Sequence, residues 1–214
     1  MYLRNIAMKS IFVLAALLCL NVGAMAEETG PDQLIKNITT EVLDIVRKDK
    51  DIRAGSHKKA IDLIETKVLP HFDFSHMTRL ALARDWRQAT PAQQAALIEE
   101  FRLLLVRTYS KALTEYKNQT VDFKPFKMQA GETDVKVRTQ IEQSGTKAIG
   151  LDYYLDKQAA GWKVYDIEVA GISLITNYRE SFSNEIRQGG IDGLIKTLQA
   201  KNKSGETVAA KKAS

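Results

Sequence analysis

The hydrophobic period of this chain changes twice. Up to Asn118 the apolar residues recur at helical spacing, from Val121 to Val169 they alternate with polar ones, and after Gly171 the helical spacing returns. Alternation puts every second side chain on one face of a sheet, whereas three-to-four spacing builds a single stripe on a helix. In the middle segment Val135, Val137, Thr139 and Ile141 alternate with Lys136, Arg138, Gln140 and Glu142. Ser144-Gly145 then makes a turn into Ile149, Leu151, Tyr153 and Leu155, and Ala160-Gly161 turns into Trp162 to Val169. Consecutive half-buried strands with short turns predict an antiparallel meander. Helices, a meander and helices again argue against a βαβ fold and predict an α+β fold: a curved antiparallel sheet wrapped by helices, with an N-terminal helical part.

The helical segments carry their own punctuation. Pro31 suits a first helical turn, and Leu34, Ile38, Val42 and Ile45 follow it along one face. A second segment, 57–69, carries Ile61, Ile64 and Val68 and stops before Pro70; Ser75 is placed to cap a short third helix through Leu82. Thr90-Pro91-Ala92-Gln93 combines an N-cap Thr, Pro at the first position and a capping-box Gln. The helix it starts is expected to run to about Tyr116, with a wide stripe that includes Leu97, Phe101, Leu104, Leu105 and Tyr109. Gly171 and Ser173 return the chain to helix, with Leu174, Ile175, Tyr178, Phe182 and Ile186 on one side. Gly189-Gly190 is expected to break that helix, and Asp192 to cap a last short one.

The ends differ from the body. Arg4 and Lys9 precede an apolar stretch from Ile11 to Leu20, and Ala24-Met25-Ala26 follows, which predicts a cleavable signal peptide over 1–26 and a mature start at Glu27. Ten apolar residues are too few for a membrane anchor, which needs roughly 20 in a helix. Cleavage leaves 188 residues, enough for one domain, and removes Cys19, the only cysteine. The mature chain then has no disulfide and no thiolate, so a packed core must stabilise it. The net charge of +5 is concentrated at the termini: Glu27 to Ala200 contains 25 basic and 25 acidic residues. A neutral body lacks the electrostatic footprint of nucleic-acid binding. The domain is expected to span 27–200, and 201–214, rich in Lys, Ala and Ser, to be a disordered basic tail.

Catalytic patterns are sparse. His57, His71 and His76 are the only histidines, and a zinc site needs three or four converging ligands, so no metal site is expected. Asp73 and His76 read as residues near a helix start rather than an acid-base pair. Ser173 lacks the Gly-x-Ser-x-Gly context of a nucleophile elbow, and Gly189 to Gly193 lacks the Lys and Ser/Thr of a phosphate loop. Asp166 and Glu168 lie two apart, opposite Tyr165, Ile167 and Val169, and read as a solvated outer strand face. No catalytic residue and no cofactor are expected. The abundant apolar material on sheet and helices fits either a filled core or a ligand pocket.

Several runs together resemble the MlaC family, also called toluene-tolerance proteins. They are Pro70 with Phe72-Asp73-Phe74 and Met77, Asp85-Trp86-Arg87 followed by Thr90-Pro91 and Gln93, Phe101 to Tyr109, Trp162 to Asp166, Gly171 to Arg179, and Gly190 to Leu194. Two positions depart from the family pattern: Ala83 stands where Gly is usual, and Ala170 where an acidic residue usually precedes Gly171. The first bears on a turn, the second on any role of that acid in partner docking. The resemblance implies an NTF2-like curved sheet and a monomeric, soluble periplasmic carrier of glycerophospholipid. It further implies exchange between an outer-membrane Mla lipoprotein complex and an inner-membrane Mla transporter complex, and so maintenance of outer-membrane lipid asymmetry. A carrier of another lipid such as a hopanoid, or an enzyme on the same curved sheet, are the alternatives. The acyl-chain pocket is expected between the inward face of the meander and the helical stripes, lined by Phe101, Leu105, Tyr109, Val137, Ile149, Leu151, Leu174 and Tyr178.

Overall fold

The computed structural model describes residues 29–204. The predicted signal segment, the Glu27 start and the tail from Gly205 onward lie outside them.

Helix α1 (Pro31–Lys48), the single turn α2 (Lys50–Arg53) and α3 (His57–Lys67) come first, followed by a 3-10 turn at Leu69–His71. Helix α4 (Phe74–Leu82), a 3-10 segment (Ala83–Gln88) and the long α5 (Pro91–Thr114) complete the first half. Strands β1 (Thr120–Phe123), β2 (Asp134–Glu142), β3 (Ile149–Gln158), β4 (Gly161–Val169) and β5 (Ile172–Ser173) form one antiparallel sheet in the order β1-β2-β3-β4-β5. Helix α6 (Leu174–Ser204) is the last element among the described residues.

The α5 start is as the sequence predicts: Gln93 N–H donates to Thr90 Oγ1, and Thr90 N–H to Gln93 Oε1 at 2.9 Å. The α4 start is not. Asp73, not Ser75, is the cap, accepting from His76 N–H at 2.8 Å. The reason is tertiary: Asp73 N–H is drawn to Val164 O on the free lower edge of β4, so the chain leaves the sheet and turns helical immediately. Helix α6 breaks where Gly189-Gly190 predicts it, at Gly190 with φ 67° and ψ −173°. Asp192 does not act there as the expected cap; its carboxylate accepts from Gln93 Nε2 at 2.7 Å, fastening the kink to the start of α5.

Two further expectations need correction. The domain does not stop at Ala200. Helix α6 continues to Ser204, and Asn202 is buried, its Nδ2 donating to the Glu100 main-chain O (2.9 Å) and carboxylate (2.7 Å) on α5. The outer face of β4 is not simply solvated either. The β3–β4 register shifts between Tyr154 and Leu155, so Val164 pairs with Leu155 and Asp166 with Tyr154, leaving Tyr165 as a bulge residue. Such an extra residue re-aims its side chain. Tyr165 therefore joins the polar face, stacking on His76 of α4, instead of the face of Ile167 and Val169.

The core has three clusters. Helices α4, α5 and α6 pack around Leu97, Phe101, Tyr178 and Phe182. The lower sheet face packs on α1 through Ile35, Val135, Val137, Leu155, Trp162 and Val164. The far half of α1 meets α2, α3 and the end of α5 through Val42, Val46, Ile52 and Leu63. Phe72 touches the first two, and thus links helical bundle to sheet.

Candidate functional site

Pairing across the sheet sorts its apolar face into rows. The lowest joins Val135, Leu155 and Val164, and the next Val137, Tyr153 and Ile167. Above them run Phe123, Thr139, Leu151, Val169 and Ile172, and finally Val121, Ile141 and Ile149. Helix α1 covers only the lower part: Leu34 and Ile35 pack against the buried Val135, Val137, Leu155 and Val164. In the upper rows Val121, Phe123, Ile141, Leu151 and Val169 are half-buried, while Ile149 and Ile172 are 45% and 48% exposed. A continuous apolar face thus passes from packed core to open surface within one sheet. Contiguous exposed apolar surface of this kind is a feature of binding faces.

Polar atoms on this face are few and inward. Thr139 is buried and its hydroxyl donates to Leu151 O at 2.7 Å, which satisfies the carbonyl of the central residue of the row. Burial pushes the Tyr153 hydroxyl up to about 12, against the opposing effect of hydrogen bonds with Thr39 of α1 and Thr139. At physiological pH that hydroxyl is neutral, so the face carries no charge at its centre.

The opposite face is a dense polar network. Lys136 Nζ lies 2.8 Å from Asp152 and 3.3 Å from Glu168, and Tyr154 donates to Glu168 at 2.7 Å. These contacts hold Lys136 well above the ordinary lysine range and Glu168 below that of a carboxylate. Asp166 accepts from Ser173 Oγ (2.5 Å), Ile167 N–H (2.8 Å) and Ile175 N–H (3.2 Å), and so anchors the start of α6. Neither carboxylate is placed as half of an acid-base pair, because each is committed to structure. Asp73, His76 and Asp156 bring three ligand-type atoms within 4.8 Å of one another. Each is already engaged: His76 Nδ1 lies 3.0 Å from Asp156, and Gln158 Nε2 donates to Asp73 (2.7 Å) and to Asp156 (3.1 Å). With a donor amide between the two carboxylates, the cluster works as a tie between α4 and β3.

The eight nominated lining residues divide between two places. Val137, Ile149 and Leu151 lie on the apolar sheet face, in its buried, rim and central positions respectively. Phe101, Leu105, Tyr109 and Tyr178 lie in the helical cluster, where the Phe101 ring meets those of Tyr178 and Phe182 edge-on at 5.0 Å each. Leu174 is buried where β5 becomes α6. Burial raises the pKa of both Tyr109 and Tyr178. Residues the sequence reading passed over on the sheet face are Val121, Phe123, Ile141, Val169 and Ile172. The same alternation that flags Leu151 would have found the first four, but Ile172 needed the β4–β5 pairing.

Among the described residues no helix is long and apolar enough to cross a membrane. A solved structure described as a phospholipid-binding protein from Ralstonia solanacearum, in complex with a phospholipid, superposes with a TM-score of 0.76 at 38% identity, covering 81% of this chain and 97% of that one. The toluene tolerance protein ttg2D of Pseudomonas putida is 26% identical over 204 residues, covering 95% of this chain and 91% of its own length. The intermembrane phospholipid transport system binding protein MlaC of Haemophilus influenzae is 25% identical over 197 residues, 88% of each chain. The family profile described as MlaC protein matches residues 36–200, from the first turns of α1 to the last turn of α6. With the family profile matching well over half of its length, this chain belongs to the MlaC family.

Proposed function

We propose that the protein is a periplasmic carrier of glycerophospholipid, exported by its cleavable N-terminal segment, and that acyl chains lie against the upper rows of the apolar sheet face. The observation that carries this reading is the face itself, which runs uncharged from the Val137 row to the exposed Ile149 and Ile172. Its relatives support the ligand class: one is a phospholipid-binding protein solved with its lipid, another a binding protein of a phospholipid transport system.

Exposing two tails of roughly 30 methylenes to water costs on the order of 24 kcal/mol at about 0.8 kcal/mol each. Unassisted passage of such a lipid through an aqueous compartment is negligible. A protein face as apolar as the bilayer interior makes loading and unloading nearly isoenergetic, so the same carrier serves either direction. Exchange with the inner- and outer-membrane Mla complexes follows from this reading. On this reading Leu151 and Ile149 meet the acyl chains, Val137 lies packed beneath them under α1, and Leu174 stands at the sheet–helix junction, while Phe101, Leu105, Tyr109 and Tyr178 belong to the helical cluster.

Leu151 is the decisive position, because it sits between Thr139 and Val169 in the central row. A guanidinium there would be desolvated beside acyl chains at a cost of several kcal/mol. Wild type purified from the periplasm without detergent should yield about one diacyl phospholipid per protein on solvent extraction. Leu151→Arg, shown folded by its melting curve, should yield much less. A lipid-free wild type, or a folded Leu151→Arg with undiminished lipid, overturns the reading.

A further inference from the structure

We propose that the upper end of the sheet, where Ile149 and Ile172 are exposed, docks directly on an anionic bilayer surface. The choice of a membrane as partner rests on the carrier reading above; the surface itself rests on topology and charge. In an antiparallel meander alternate connections fall at the same end, and here three do so: 115–119 entering β1, 143–148 joining β2 to β3, and Ala170-Gly171 joining β4 to β5. The first two are fastened together, Gln119 Nε2 donating to Gln143 Oε1 at 3.0 Å. The end of α1 reaches the same place, since Arg47 Nε donates to the Tyr116 hydroxyl at 2.9 Å and that hydroxyl donates to Gln119 O at 3.1 Å.

This end has an apolar centre and a basic rim. Ile149 and Ile172 are two of the three large apolar side chains that stand most exposed among the described residues, and they share one face. The charges around them are unequal. Arg47 is paired with Asp44, and Lys111 with Glu115. Lys117 and Lys147 on these connections, and Lys48 at the end of α1, form no ion pair among the described residues, against one unpaired acid, Glu142, at the adjoining end of β2. Apolar side chains that can enter the headgroup boundary, ringed by cations that meet anionic lipids, are the two components of interfacial binding. The continuity of Ile149 and Ile172 with Leu151 and Val169 then gives the docked lipid layer an apolar path into the carrier.

The test uses the full-length mature protein and two vesicle populations: phosphatidylcholine alone, and phosphatidylcholine with about one-third phosphatidylglycerol. Wild type should cosediment with the anionic vesicles at low salt and release as salt rises. Lys117→Glu/Lys147→Glu should weaken that binding roughly tenfold or more, and Ile149→Asp/Ile172→Asp should abolish it, with melting curves showing both variants folded. Equal binding to neutral vesicles, or wild-type binding by both variants, overturns the proposal. A wild type that carries phospholipid but ignores anionic vesicles overturns the docking surface alone, because copurified lipid keeps the carrier reading intact.

Discussion

Ala83 and Ala170 are the only non-glycine residues among those described with positive φ, both at 51°. They are also the two residues that stand out in the sequence against the MlaC resemblance. Ala83 ends α4 with ψ −116°, a region that the methyl group disfavours and glycine enters freely. Ala170 and Gly171, at φ 51° and 84°, form the two-residue connection between Val169 and its partner Ile172. Two successive positive φ values are what a type I′ hairpin demands, and Asn or Asp tolerates the first of them better than Ala. An Asp or Asn at position 170 would therefore have a turn-forming role there, independent of any partner. Ala83→Gly and Ala170→Asn should each stabilise the fold by about 1 kcal/mol, after the larger unfolded-state entropy of glycine is set against the relieved strain. Thermal melts should show each variant higher by roughly 2–4 °C; an unchanged or lower melting temperature for Ala83→Gly would mean that the strain there is negligible.

Among the elements, those specified by local chemistry are where the residues placed them, and those specified by neighbours are not. The α5 capping box, the break at Gly190 and the alternating strands are all local. By contrast the α4 cap moved to Asp73 because β4 offered a carbonyl, and the β4 bulge moved Tyr165 to the face where His76 and Asp134 receive it. The end of α6 is the clearest case. A segment of Lys, Asn and Ser reads as tail, yet Asn202 is buried on α5 with two hydrogen bonds to Glu100. Truncation after Ala200 should therefore lower the unfolding free energy by about 1–3 kcal/mol, as loss of a buried hydrogen-bonded group does. Truncation after Ser204 should leave it within about 0.5 kcal/mol of wild type. Urea unfolding of the two truncated chains distinguishes a helix that ends in function at Ser204 from one that ends at Ala200.

At the scale of the whole molecule, the helical bundle and the sheet face are separate cores joined through Phe72, the Asp73–Val164 contact and the His76–Asp156 tie. A lipid lying on the upper rows would add contacts between sheet and α1, and any ligand that binds only the folded state stabilises it. Delipidated protein should melt below loaded protein, with faster amide exchange concentrated in the upper halves of β3 and β4 and in α1; uniform loss of protection would place the ligand elsewhere. The sequence by itself determined the fold class, the strand count of the meander short of β5, the helix starts with local caps and the neutrality of the body. Periodicity, capping and turn chemistry act within a few residues, so they are present in the chain before it folds. The tertiary structure alone decided which apolar residues became core and which stayed open. Phe101 and Leu151 have equal claims in the sequence, but Phe101 is enclosed by Tyr178 and Phe182 from another helix, whereas α1 stops short of covering Leu151. Burial is a property of what arrives from elsewhere in the chain, and a hydrophobic side chain carries no record of whether its neighbour will be protein or lipid.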